Sequence, residues 1–151
     1  MFKWFKNKRD LKQLLAVASL AEQSLLSSSA GILRAQLEAI GNDLLKLHHY
    51  VHGDFARGYM DGFLSAAIEA NGFEVDDEMH LLVFKMIGYS FFFSGDADKS
   101  KVFAAETLEL LTHYVSADVV VGRNLGISEY KVLLESQSHP AGLYNGYAAQ
   151  R

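Results

Sequence analysis

The 151-residue chain has no cysteine and a single proline, Pro140. The missing cysteines exclude disulfides, thiolate metal sites and a cysteine nucleophile. The scarcity of proline leaves everything before residue 140 free of the strongest helix breaker, and long helices follow. No apolar run reaches the about 20 residues that a membrane-spanning helix needs. Catalytic signatures are missing too. There is no phosphate-cradling glycine loop, no His-Glu-x-x-His pattern, no adjacent His-Asp pair and no signature for a serine nucleophile. Stretch 14–21 follows a basic start, as in a signal peptide, but it is short and rich in alanine and serine. A cysteine-free chain with this start is expected to be cytoplasmic.

Half of the residues are apolar and 21% are charged, the balance of an ordinary soluble domain. The length suits one domain with one core over 1–151. The net charge of -4 is unevenly placed: Lys3, Lys6, Lys8, Arg9 and Lys12 face only Asp10 in the first twelve residues, a net of +4 that leaves -8 for the rest. Such an acidic body repels nucleic acid. Residues 1–9 form a basic, aromatic arm in which Trp4 and Phe5 suit an anionic membrane surface, a protein partner or the chain's own acidic body.

Periodicity predicts an all-α bundle of about six helices. The first spans about 8–27, with Leu11, Leu14, Ala18, Ala21 and Leu25 on one face. The second spans about 32–51, with Leu33, Leu37, Ile40, Leu44, Leu47 and Val51, and the stretch 27–31 between them reads as a turn. The third runs from a cap at Asp54 to the turn at Asn71-Gly72. Within it, Gly58, Gly62 and Ala66 form a small-residue ridge that admits a close neighbour, and Arg57 and Asp61 form a candidate surface pair. The fourth, from about Asp76, is interrupted in its apolar character only by His80, Lys85 and Ser90, so it is expected to be the largely buried central helix. The fifth begins near Ser100 with a seam of Phe103, Thr107, Leu110, Tyr114, Ala117 and Val121. Gly126 is expected to break it, and Ser128 to cap a sixth helix ending near Glu135. Residues 136–151 read as an irregular tail.

Four stretches invite a functional reading. In "KLHHYVHGD", His48 and His52 are four apart and share a helix face, where two imidazoles can reach one metal. A third ligand would come from Asp54, His80, Glu109 or His113, and a divalent metal is the one cofactor that this pattern admits. The bland alternative sets both histidines at the polar edge of the core. "SGDADKSK" has the look of a calcium loop, but Lys101 and Thr107 stand where the loop needs glycine and glutamate. Its aspartates are better suited to capping.

"VVVGRNLGISEYKVLL" resembles the helix-turn-helix of DNA-binding repressors, which gives a degenerate motif over 117–136. Its second helix carries Glu129 and Glu135 against Lys131, the wrong balance for bases and phosphates. "AAIEANGFEVDDE", residues 66–78, resembles the helix, acidic turn and helix of the TerB-like tellurite-resistance family. That resemblance implies an acidic all-α protein tied to stress responses and metal binding. Asn71 stands where the family has aspartate, and the spacing from Gly72 to Glu78 is about one residue longer than in the family.

Together these features predict a non-catalytic accessory or regulatory protein. Its expected action is protein–protein interaction, as a homo-oligomer or with another protein. The candidate contact residues are Gly58, Gly62, Ala66, Phe91, Phe92, Phe93, Trp4 and Phe5. The competing expectation is a metal-dependent enzyme built on His48 and His52.

Overall fold

A computed structural model describes the backbone of residues 2–41 and 43–149, and the side chains of 8–41, 43 and 45–149. The described residues form eight helices and no strand: α1 (Phe2–Leu15), α2 (Leu20–Ile40), α3 (Leu44–Val51), α4 (Asp54–Ala70), α5 (Glu78–Phe92), α6 (Ala97–His113), α7 (Ala117–Ser136) and α8 (Gly142–Ala149). The all-α class holds, while the helix number and several boundaries differ from expectation. The side chains of Trp4 and Phe5 lie outside the described residues, and the arm's backbone belongs to α1.

Local chemistry explains the breaks. The first expected helix is cut after Leu15, because Ser19 and Glu22 form a reciprocal capping box that starts α2. No turn forms at 27–31, so α2 runs straight through. It stops at Gly41, whose φ of +134° suits glycine. Asp43 then starts α3 by accepting a hydrogen bond from the Lys46 amide. Asp77 and Asp96 cap α5 and α6 in the same way. Asp54 does not cap α4: Gly53 is the capping position, and the Asp54 carboxylate accepts from Ser116 Oγ at 2.7 Å.

The core centres on α4, not on the more apolar α5. Twelve of the seventeen α4 residues are buried, against six of fifteen in α5. Tyr59, Met60, Phe63 and Leu64 are fully enclosed. The reason lies on the ridge side of α4, where α7 crosses with backbone nearly touching backbone. A Cβ on Gly58 would lie 2.2 Å from Val119 O, and one on Gly62 would lie 2.1 Å from Arg123 O. The match is reciprocal, since Cβ atoms on Gly122 and Gly126 would lie 2.2 Å from Phe55 O and Tyr59 O. Two Gly-x-x-x-Gly faces thus interlock, one per helix. Gly126 packs and does not break: α7 is continuous from Ala117 to Ser136 and Ser128 lies inside it. There is accordingly no turn at Leu125–Ile127, and the helix-turn-helix is ruled out.

Burying α4 also buries Arg57 and Asp61, and each is satisfied elsewhere than expected. Arg57 and Asp61 are not a surface pair. Arg57 Nη2 meets Glu106 Oε2 at 2.7 Å, while Asp61 receives Lys85 Nζ at 2.8 Å and Arg123 Nε at 3.2 Å. The C-terminal stretch is no loose tail either. α8 docks through fully buried Leu143, whose amide donates to Gln36 Oε1 and whose carbonyl accepts from Tyr50 Oη.

Candidate functional site

A groove of about 710 Å³ opens where the end of α2, the second half of α3, the end of α5 and the start of α6 meet. Its apolar lining comes from Leu37, Leu47, Val51, Phe92 and Phe93. Each of these sits there for a local reason. Leu37, Leu47 and Val51 belong to the apolar stripe read from the sequence, which the Gly41 break bends instead of ending. Phe92 and Phe93 are brought in where α5 turns into α6. The polar lining is Arg34, Glu38, His48, His52 and Lys99. The Lys99 ammonium stands 4.9 Å from the centre of the Phe93 ring, a cation held over an aromatic face.

His52 forms part of the groove wall, and its position is fixed from behind. Its Nδ1 lies 2.8 Å from the carbonyl oxygen of His48 and donates to it in the neutral form. Its ring meets the edge of Phe103. Arg57 clamps the same corner, donating from Nε to His52 O and from Nη1 to Phe103 O and Thr107 Oγ1. Burial lowers the His52 pKa below its ordinary 6.5, and the neighbouring charges of His48, Arg57 and Lys99 push the same way. A neutral imidazole therefore faces the groove at pH 7. The His48 ring lies 4.2 Å from it and is exposed.

The two histidines come together as their spacing predicts, but the further ligands do not join them. Asp54 is engaged by Ser116. The Nδ1 of His80 accepts from the Asp76 amide, and its ring stacks on Phe84 at 4.5 Å. Glu109 and His113 lie exposed near the end of α6. Among the described residues, no group of three or more His, Asp or Glu side chains is placed to hold a metal ion. The residues of the calcium-like stretch serve instead as the turn into α6 and its cap.

The interaction candidates separate into two groups. Gly58, Gly62 and Ala66 are buried within the chain, and α7 already occupies the glycines' face, so the ridge offers nothing to a second copy. Phe92 and Phe93 do line the groove, beside His48 and His52, while Phe91 is half-buried. Arg34, Glu38 and Lys99 went unnoticed in the sequence. The first two lie exposed on the polar side of an ordinary amphipathic pattern, and nothing local announces that they will share a groove with α3. No family model matches the chain, and neither a curated protein nor a solved structure matches it. Among the described residues, no helix is long and apolar enough to cross a membrane.

Proposed function

We propose that this is a non-catalytic accessory protein that binds a protein partner in the groove between α2, α3 and α5. The observation that carries this reading is the groove's construction: an apolar floor with Arg34 and Lys99 on its rim against Glu38. An amphipathic helix or strand with acidic flanks has the matching chemistry, with apolar side chains toward Phe92 and Phe93 and carboxylates toward the cations. The volume suits a few anchor side chains. The shortage of catalytic equipment points the same way. The groove's lining holds no serine, threonine or tyrosine as a nucleophile.

A second copy of the chain is the simplest partner, and the surface for it keeps Phe92 and Phe93 of the contact residues expected from sequence but not the glycine ridge. A photo-activated cross-linking side chain at Leu47, inside the groove, tests the reading in cells. The expected outcome is a discrete protein adduct whose mass separates a second copy from another chain, and which Phe93→Glu abolishes. The same group at Leu45, which is 79% exposed and outside the groove, serves as the control. Equal labelling from both positions, or an adduct insensitive to Phe93→Glu, sinks the reading.

A further inference from the structure

We propose that a second cleft, between α5 and α6, receives the apolar face of a basic amphipathic helix from a partner protein. The cleft measures about 410 Å³. Its lining runs from Glu78 to Tyr89 on α5 and from Ala104 to Thr112 on α6. At 1.5 Å per residue, these stretches are roughly 12–17 Å long, two to three helical turns. The apolar lining is Met79, Leu81, Leu82, Ala104 and Leu108. Met79 is 64% exposed and Leu108 is 48% exposed. Large apolar side chains that stand in water and share one cleft mark a surface that a partner covers.

The charges around the cleft decide the sign of that partner. Within the lining, Lys85 is paired with Asp61 at 2.8 Å, and Arg123 holds the second Asp61 oxygen, so this group has no negative charge to offer. Glu78 is the remaining lining charge among the described residues. It has company. Glu74, Asp76 and Asp77 precede it, Glu109 follows Leu108 on α6, and all five carboxylates are exposed. No lysine or arginine occurs in 74–84 or in 102–113, so these stretches of chain supply no cation to offset them. An apolar furrow beside unbalanced carboxylates suits leucine-like side chains three and four apart, flanked by lysine or arginine. The same carboxylates repel nucleic acid, an anionic lipid surface and an acidic segment. The α2/α3/α5 groove has the opposite character, with Arg34 and Lys99 in its lining, and it shares no lining residue with this cleft. The two sites therefore stand or fall separately.

Titration calorimetry of the full chain with a synthetic amphipathic helix of leucine and lysine, about three turns long, tests the proposal. A control peptide carries glutamine for every lysine. Saturable binding of the lysine peptide is expected, at least tenfold tighter than that of the control, and weakened at least tenfold by about 0.5 M sodium chloride. The double change Met79→Gln, Leu108→Gln is expected to cost at least tenfold, and the fold survives it because both side chains are exposed. Leu134→Gln, at an α7 residue that is 51% exposed and outside the cleft, is expected to leave the affinity unchanged. The double change Glu78→Gln, Glu109→Gln is expected to cost at least fivefold, against no change for Glu135→Gln at the end of α7. No saturable binding, a control peptide that binds as tightly, or equal losses inside and outside the cleft overturns the proposal. Self-association of the chain that Met79→Gln, Leu108→Gln abolishes also overturns it, because the occupant is then a second copy.

Discussion

Asp61 is a carboxylate on the most buried helix of the molecule, and it is tolerated because two cations reach it from α5 and α7. Removing one member of such a group strands the others. Asp61→Ala leaves the Lys85 ammonium largely enclosed with no counter-charge, and a loss of about 3 kcal/mol is expected, near the low end for broken buried pairs because Arg123 is partly solvated. The exposed pair of Lys46 and Asp43, 3.8 Å apart, is the contrast. Lys46→Ala is expected to change stability by under about 0.5 kcal/mol. Urea denaturation of both variants checks the difference. His52 adds a dependence on pH. Its folded pKa lies below 6.5, so the unfolded chain takes up the proton first as pH falls. The contribution of His52 is therefore complete above about pH 6.5 and declines below it, until the folded value is passed. Melting temperatures measured between pH 7.5 and 5 are expected to fall, and His52→Gln, which cannot take up a proton, is expected to flatten that slope. An equal slope in both proteins counts against the assignment.

At the scale of elements, the glycines separate two uses of one residue type. Gly62 is where α7 backbone comes closest, and a methyl group there meets Arg123 O at 2.1 Å. Gly62→Ala gains about 1 kcal/mol of helix propensity yet is expected to destabilise the fold by about 2–3 kcal/mol, the range for overpacking. A methyl group added at Gly31, in the middle of α2, would meet nothing within 4 Å. Gly31→Ala is expected to stabilise by about 0.5–1 kcal/mol. Thermal unfolding of the pair gives opposite signs if the crossing is as described. The same glycines mark the limit of what periodicity could reveal. The ridge on α4 was legible as a close-approach surface, but its partner was not, because Gly126 reads locally as a stop. A breaker and a packing glycine look alike until the facing backbone is known. The breaks at Ser19 and Asp43 had local signatures, a capping box and an aspartate after Gly41, and unbroken apolar stripes hid them. Hydropathy misplaced the centre of the core for a related reason. α5 has the longer apolar run, but α4 has the small residues that let neighbours close around it. The site was legible in halves: His48 and His52 from spacing, Phe92 and Phe93 from composition. That they share one groove depends on contacts distant in sequence.

Across the whole molecule, the last helix closes what the earlier ones assemble. α8 is short and has no strong apolar face of its own, yet its first turn is gripped from three helices. Glu129 of α7 accepts from the amides of Ala141 and Gly142, Gln36 of α2 accepts from Leu143, and Tyr50 of α3 donates to the Leu143 carbonyl. Leu143 is fully buried among them. Glu129 and Gln36 each keep Tyr59 as a partner without the terminus, while Gln36 Oε1 and the Tyr50 hydroxyl lose the Leu143 amide and carbonyl with it. Truncation after Gln137 therefore does more than remove a peripheral turn. It exposes the cavity that Leu143 fills, a loss of about 2–5 kcal/mol, and it leaves Gln36 and Tyr50 short of partners at about 1–3 kcal/mol each. A domain of this size has about 5–15 kcal/mol in all, so the truncated chain is expected to stand at the edge of folding. Leu143→Ala separates the two contributions, since it keeps the backbone hydrogen bonds and loses the side chain. Circular dichroism melts of the three proteins should rank the full chain above Leu143→Ala and Leu143→Ala above the truncation. If the truncated chain melts with the full one, α8 is an ornament of the fold, and the hydrogen bonds that hold it contribute nothing net to stability.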